Sequence, residues 1–421
     1  MQPEARENPA IELSSDETIA PLPRITLQAF CETPAVAATM QAAVADRRMD
    51  KAHARIQMGG PAAAVEAFRS APTPNIIVLE TVADPATLVA HLEALSDSCD
   101  AGTKVVVIGH VNDVQLYRDL IRRGVSEYLI APLEPLDVLR TLSDLYLSPG
   151  ARNLGRVIAV MGAKGGVGAS TIAHNVSWAI ARNLDASTVI VDLDIAFGTA
   201  GLNFNQDPPQ GIAEAVFAPE RLDSNLLDRL LSRCSDNLAL LAAPAVLDRT
   251  VDLDEDALEQ LLDLLRASVP CIILDVPHQW NAWVKRTVLG ADEIVIVAEP
   301  ELASLRNAKN LVDLSRATRQ NDAVARLVLN RVGVPKRPEI SVGEFSKALG
   351  IDVLSSIPFD AQLFGTAANN GQMIAEVQAG SKATEAFTQI ASALTGRGEA
   401  KRGRRSLFEP LVSKLKRRKA S

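Results

Sequence analysis

The chain has 421 residues, of which 47% are hydrophobic and 22% charged, with a formal net charge of -8. That length and balance allow two globular domains with a sizeable core, while no apolar run reaches the ~18 residues that a bilayer span requires. The N-terminal MQPEARENPAIELSSDET has no basic start and no apolar stretch, so it does not read as a secretory signal. Cys31, Cys99, Cys234 and Cys271 are scattered, without a C-x-x-C pair or a histidine at metal-ligand spacing. They are expected to be buried thiols in a reducing cytoplasm.

Charge is unevenly distributed. From Arg397 onward the chain carries ten Lys or Arg residues, ending in KLKRRKAS, opposed only by Glu399 and Glu409. The body is correspondingly more acidic, which argues against general nucleic-acid binding by it, whereas the tail suits an anionic surface.

Residues 1 to about 23 are polar and unpatterned, and are expected to be disordered. RITLQAF then reads as a strand and PAVAATMQAAVADRR as an amphipathic helix. NIIVLET, KVVVIGH and EYLIAPL follow as strands, alternating with the helices PATLVAHLEALSD, DVQLYRDLIRRG and PLDVLRTLSDLYL. Short Val/Ile/Leu-rich strands separated by helices predict βαβ units and a parallel sheet covered on both faces. The unit spans 24–147, and 148–155 is a linker.

A second strand–helix series starts at Arg156. It runs through RVIAVMG, the helix TIAHNVSWAIARN, STVIVDLD, LLDRLLSRC, LALLAAP and the helix DEDALEQLLDLLRA. CIILDVP, EIVIVAEP, the helix LASLRNAKNLVDLSRAT, RLVLNRV and a helix near ATEAFTQIASALTG complete it. The expected architecture is therefore α/β with two tandem parallel-sheet domains: a smaller flavodoxin-like one and a larger one over 156–396, followed by the basic tail 397–421.

The segment RRGVSEYLIAPL gives the first domain a resemblance to the receiver domain of bacterial response regulators. That chemistry needs acidic metal ligands after the first strand, a phosphate-accepting aspartate after the third and a lysine before the proline of the fifth. Here those places hold Cys31, Glu32 and Thr33, then Glu80, then Ala131 before Pro132. Aspartyl phosphate chemistry has no support, and a docking or dimerisation module is expected. Glu80 is either a fixed mimic of a charged state or a solvated strand-end side chain, the second being the simpler expectation.

GAKGGVGAST, residues 162–171, lies between an apolar strand and a helix beginning near Ser170. This order aims backbone N–H groups and a positive helix end at an anion. Gly165, Gly166 and Gly168, around Val167, let the backbone approach it closely. Ser170 offers a hydroxyl where Mg²⁺ would be bound, with Thr171 beside it, but Ala169 stands where a phosphate-loop lysine is expected.

Lys164 gives K-G-G-V-G-A-S-T, which resembles the deviant loop of the MinD/ParA superfamily of P-loop ATPases. The resemblance implies an ATP- and Mg²⁺-binding homodimer in which Lys164 reaches the partner's nucleotide. It further implies that Asp194, in IVDLDIAFG, orients the attacking water and that Asp192 assists at the metal. By the same resemblance Asp275, ending CIILDVP, holds Mg²⁺ through water, Asn330 reads the adenine edge, and Pro358 and Asp360 lie in a base-side loop. With Ala169 in the loop, binding is expected to be weakened and hydrolysis slow.

The stretches DVPHQWNAWVKRTVLGADEIVIVAEPELASLRNAKNL and IPFDAQLFGTAANNGQMIAE, with the receiver-like unit in front, narrow the resemblance. It points to the localisation ATPases of tight-adherence (Flp-type IVb) pilus assembly and secretion. Pilus and secretion components, a cell pole and an anionic membrane surface are then the expected partners and setting. His278, Trp280 and Trp283 are either a partner surface or core packing, and Arg306 either faces a partner or is an exposed helix residue. The tail's Leu407, Phe408, Leu411, Val412 and Leu415 among basic residues suit a membrane-surface helix, although Pro410 interrupts it. A partition ATPase and a nucleotide-independent scaffold are the competing readings.

Overall fold

A computed structural model of the chain describes residues 19–100, 102–146, 154–208, 210–244 and 253–396. The chain forms two compact units, Thr18–Arg152 with Arg319–Asp322, and the remainder. Of the expected linker 148–155, residues 148–153 lie outside the described residues, as do the N-terminal 18 residues and the basic tail.

In the first unit strands and helices alternate: β1 (Ile25–Cys31), α1 (Pro34–Val44), β2 (Ala52–Met58), α2 (Gly60–Phe68), β3 (Ile76–Glu80), α3 (Pro85–Ser96), β4 (Lys104–Gly109), α4 (Val114–Arg122), β5 (Glu127–Ile130) and α5 (Pro135–Asp144). The sheet is parallel in the order β2-β1-β3-β4-β5. β3 is buried along its whole length, as a central strand with helices on both faces must be. Thr33, Asp84 and Asp113 start α1, α3 and α4 by accepting hydrogen bonds from first-turn amides.

Three sequence expectations change here. β2 and α2 were not foreseen, because β2 is an edge strand without a fully buried residue and its AHARIQM carries no apolar run. Residues 19–23 are not a disordered end: Ile19 and Leu22 are packed into the core beside β1, and the Leu22 amide donates to the Arg48 carbonyl at 2.8 Å. Glu80 is not solvated either. It is 0% exposed, and its carboxylate accepts from the Glu32 and Thr33 amides, at 2.8 and 2.9 Å, and from the Thr33 hydroxyl at 2.6 Å. His110 Nε2 stands 3.0 Å away. Burial works to raise its pKa, but the Thr33, Glu32 and His110 hydrogen bonds outweigh it and hold the carboxyl below its ordinary value.

The second unit comprises β6 (Arg156–Gly162), α6 (Ala169–Asn183), β7 (Thr188–Asp192), α7 (Ala200–Asn203), α8 (Ile212–Phe217), α9 (Ser224–Leu230), β8 (Ser232–Ser235), β9 (Leu238–Leu241) and α10 (Glu255–Ser268). It continues with β10 (Cys271–Val276), α11 (Ala282–Gly290), β11 (Glu293–Ala298), α12 (Leu302–Thr318), β12 (Arg326–Val332), α13 (Val342–Leu349), β13 (Val353–Pro358), α14 (Ala361–Asn370), α15 (Ile374–Val377) and α16 (Lys382–Leu394). The eight strands run in the order β13-β12-β11-β6-β10-β7-β9-β8.

As expected the sheet is parallel, except at one edge, where β8 pairs antiparallel to β9. LLDRLLSRC is correspondingly two elements, because α9 stops at Leu230 and the polar SRCS forms an exposed edge. β6 sits in the middle, between β10 and β11, and two apolar layers cover the two faces of the sheet. The chain leaves β6 in one direction toward β7 and later returns on its other side through β11 and β12. Ligands of open α/β sheets bind at the strand ends beside such a reversal. Cys31 and Cys271 are buried, as expected, but Cys99 and Cys234 are only half-buried. Burial pushes the Cys234 and Cys271 thiols up to about 12, which keeps them protonated and unreactive.

Candidate functional site

Residues 163–168 turn from the end of β6 into α6, and several side chains pin the turn from outside. Asn330, at the end of β12 and 4% exposed, donates through Nδ2 to the Val167 carbonyl at 2.7 Å. Asn307 of α12 donates to the Ala163 carbonyl at 2.9 Å, and His278 Nδ1 lies 3.1 Å from the Gly162 carbonyl, which can only accept. Gly168 has φ 87°, and a Cβ there would come within 2.5 Å of Asn330 Nδ2. The turn needs glycine on both counts. Gly165 and Gly166 are exposed, while Ala169, Ser170 and Thr171 open α6 and are half-buried. Helix N-termini of this kind present free N–H groups to an anion.

Lys164 is ion-paired to Glu301, the residue just before α12, and Ser304 Oγ is 3.4 Å from the same carboxylate oxygen. The Lys164 hydrogen bond holds the Glu301 carboxyl below its ordinary value, against the small opposing effect of burial. Two residues earlier, Glu299 bridges Arg331 at 2.9 Å and Arg337 at 2.6 Å. The turn after β11 thus holds Lys164 with one carboxylate, and the end of β12 and the loop after it with the other.

Asp192 and Asp275 occupy paired positions on β7 and β10, and both are buried. Asp192 Oδ1 accepts from the Asp194 amide and Oδ2 from the Ala200 amide, each at 3.1 Å. Burial and the neighbouring Asp275 charge push Asp192 up to about 7. Gly198 packs against it, since a Cβ at 198 would meet Asp192 Oδ2 at 2.4 Å. Asp194 accepts from the Phe197 amide at 3.1 Å and is partly exposed.

Beside the loop lies a cavity of about 480 Å³, whose lining includes Gly168, Thr171, Asn330, Arg337, Pro358 and Asp360. Pro358 ends β13, and Asp360 caps α14 by accepting from the Leu363 amide at 2.9 Å. A volume of that order suits a small ligand. Three placements therefore stand out: Asn330, Pro358 and Asp360 together on the cavity, the two strand-end aspartates together, and Lys164 turned to Glu301. Trp283 is buried, Trp280 is half-exposed and Arg306 is exposed on α12. Sequence reading missed Glu299, Glu301, Asn307, Asn203 and His174. The only signals were the acidic EPE after a strand and a lone histidine in IAHNVS.

Two buried carboxylates side by side, one of them pushed toward neutrality by burial and by the other's charge, fit a cation in front of them. Among the described residues no group of three or more His, Cys, Asp or Glu side chains is arranged to hold a metal. Such a site suits Mg²⁺, which takes one or two carboxylates and completes its shell with water and phosphate oxygens.

Residues 155–325 match the family described as AAA domain. A protein of Mesostigma viride that carries the septum site-determining MinD name is 30% identical over 253 residues, covering 58% of this chain and 85% of its own. The solved ParA family ATPase of Chlorobium tepidum is 27% identical, covers 58% of this chain and 100% of its own, and superimposes with a TM-score of 0.53. The chain belongs to the MinD/ParA superfamily of P-loop ATPases. It is also 47% identical to a pilus assembly protein CpaE of Caulobacter crescentus, over 31% of this chain and 98% of that one, with a TM-score of 0.30.

Proposed function

We propose that the chain is an ATP-binding, dimerising localisation factor for Flp/Tad-type pilus assembly and secretion, with slow hydrolysis. The observation that carries the nucleotide part is the glycine turn pinned by Asn330 and Asn307 beside a cavity lined by Thr171, Pro358 and Asp360. The backbone and the α6 N-terminus bind the phosphates, with Thr171 at hand. Ser170, Asp275 and Asp192 hold Mg²⁺, which supplies charge neutralisation of the phosphates when bound. Asn330 keeps its amide oxygen for the base, since an N–H already goes to Val167.

Asp194 orients the attacking water, and Lys164, released from Glu301, serves a partner's nucleotide across a homodimer. Ala169 leaves the phosphates one charge-assisted contact short, a deficit of roughly 1.5–3 kcal/mol, or about 10- to 100-fold in affinity. The pilus reading is supported by the 47% identity to a pilus assembly protein. The first unit is a receiver-like docking module without phosphorylation chemistry. No helix among the described residues is long and apolar enough to cross a membrane, so a peripheral position at a cell pole would rest on the tail or on partners.

Titration of the full chain with fluorescent ATP tests this reading. Wild type is expected to bind, Lys164→Ala to lose ATP-dependent dimerisation, and Asp194→Ala to bind without turnover. No binding at millimolar nucleotide would favour the scaffold, and ATP-dependent binding to random DNA the partition ATPase.

A further inference from the structure

His174 has no part in the function proposed above, yet it sits at its centre. It lies on α6 one turn beyond Thr171 and is 1% exposed, with its ring 5.4 Å from that of Phe204. Nδ1 is 3.0 Å from Asn203 Nδ2. An amide nitrogen only donates, so Nδ1 is the acceptor and the ring proton is on Nε2. Nε2 points to the ends of the central strands, 3.2 Å from Asp275 Oδ2, but without the alignment of a hydrogen bond, and among the described residues it has no other partner. A buried N–H left in this state destabilises a core that an apolar side chain would fill better.

The ring also joins three segments of the site. α6 carries it out of the glycine turn, β10 presents Asp275, and Asn203 closes the short α7, whose first amide, Ala200, bonds Asp192. Metal-binding carboxylates are held in place by such neighbouring donors, and losing one weakens metal affinity about 10- to 100-fold.

We infer that His174 is a positioning residue: its Nε2–H, already 3.2 Å from Asp275 Oδ2, aligns on that carboxylate when Mg²⁺ and the nucleotide bind and holds it in the orientation that receives the ion. This rests on the nucleotide reading above. Asn203 fixes the tautomer, and so couples the segment after Asp194 to the strand that bears Asp275.

The test is a fluorescent ATP titration of the full chain in EDTA and across a Mg²⁺ series, for wild type, His174→Ala, His174→Leu and His174→Gln. For the alanine and leucine variants the Mg²⁺ concentration giving half-maximal binding should rise tenfold or more, while ATP affinity in EDTA stays at the wild-type level. Glutamine, which returns an N–H donor, should recover part of the loss. If alanine does not fold, the leucine variant, which keeps the volume filled, carries the comparison. Wild-type Mg²⁺ dependence in the leucine variant overturns the role, as does an equal loss of binding with and without Mg²⁺. A wild-type protein that binds no ATP under either condition overturns the nucleotide reading itself, and the inference with it.

Discussion

The Lys164 ammonium is held by the Glu301 carboxylate of its own chain, at the start of α12. A lysine engaged in this way is not free to serve a neighbouring molecule until the pair opens. Both side chains are about a third exposed, so the pair is worth no more than about 1 kcal/mol. It is weak enough for a bound nucleotide and a partner subunit to displace.

For the homodimer proposed above, replacing Glu301 with Gln should therefore ease ATP-dependent association. Sedimentation analysis with Mg-ATP is expected to show a dimer dissociation constant lowered by up to about fivefold, within the worth of an exposed pair. The gain should shrink in high salt, which screens the same pair in wild type. Weaker ATP-dependent dimerisation in Glu301→Gln would mean that Glu301 supports the interface instead of holding Lys164 away from it.

Glu80 gives a pH-dependent prediction in the first unit. Its folded-state pKa lies below the ordinary 4.5, so the ionised carboxylate stabilises the fold at neutral pH. That contribution is lost as pH falls through the folded-state value. Glu80→Gln should cost roughly 1.5–3 kcal/mol at pH 7, the usual worth of hydrogen bonds to a charged group. Denaturant unfolding followed through the Glu32 and Thr33 amides should show the gap between the two proteins closing as pH falls below the ordinary 4.5 and through the lowered folded-state value. A gap that widens in acid would contradict the network.

Asn330→Ala should strip the Val167 carbonyl of its partner in a buried setting, at a cost of about 1–3 kcal/mol. If the glycine turn is the phosphate cradle, ATP affinity should fall with it, by roughly tenfold or more. Thermal unfolding and ATP titration of the same samples check this. A melting point that falls while affinity holds would detach the turn from binding. Gly168→Ala should be at least as damaging, since it adds a Cβ at φ 87° and at 2.5 Å from Asn330 Nδ2.

How much of this could be read from residues alone depended on range. Strands such as VIAVMG, VIVD and CIILDV are apolar apart from Asp192 and Asp275 near their ends, and their α/β arrangement followed from that pattern. The glycine turn, the strand-end aspartates and Asn330 carry short local signatures. β2 and α2 escaped because an edge strand has no buried run, and β8 because SRCS is polar. Lys164–Glu301 and His174–Asp275 join residues 137 and 101 positions apart, a proximity that only the strand order of the second unit creates. Glu80 was misjudged for the same reason: the donors that bury it come from the end of a different strand.

If the glycine turn binds ATP as proposed, Ala169 is its deficit. Calorimetric titration of Mg-ATP into wild type and Ala169→Lys tests it most directly. Measurable wild-type affinity, tightened about 10- to 100-fold by the restored lysine, is the predicted result. No heat of binding from either protein at millimolar nucleotide would contradict the account and leave a scaffold that binds no nucleotide.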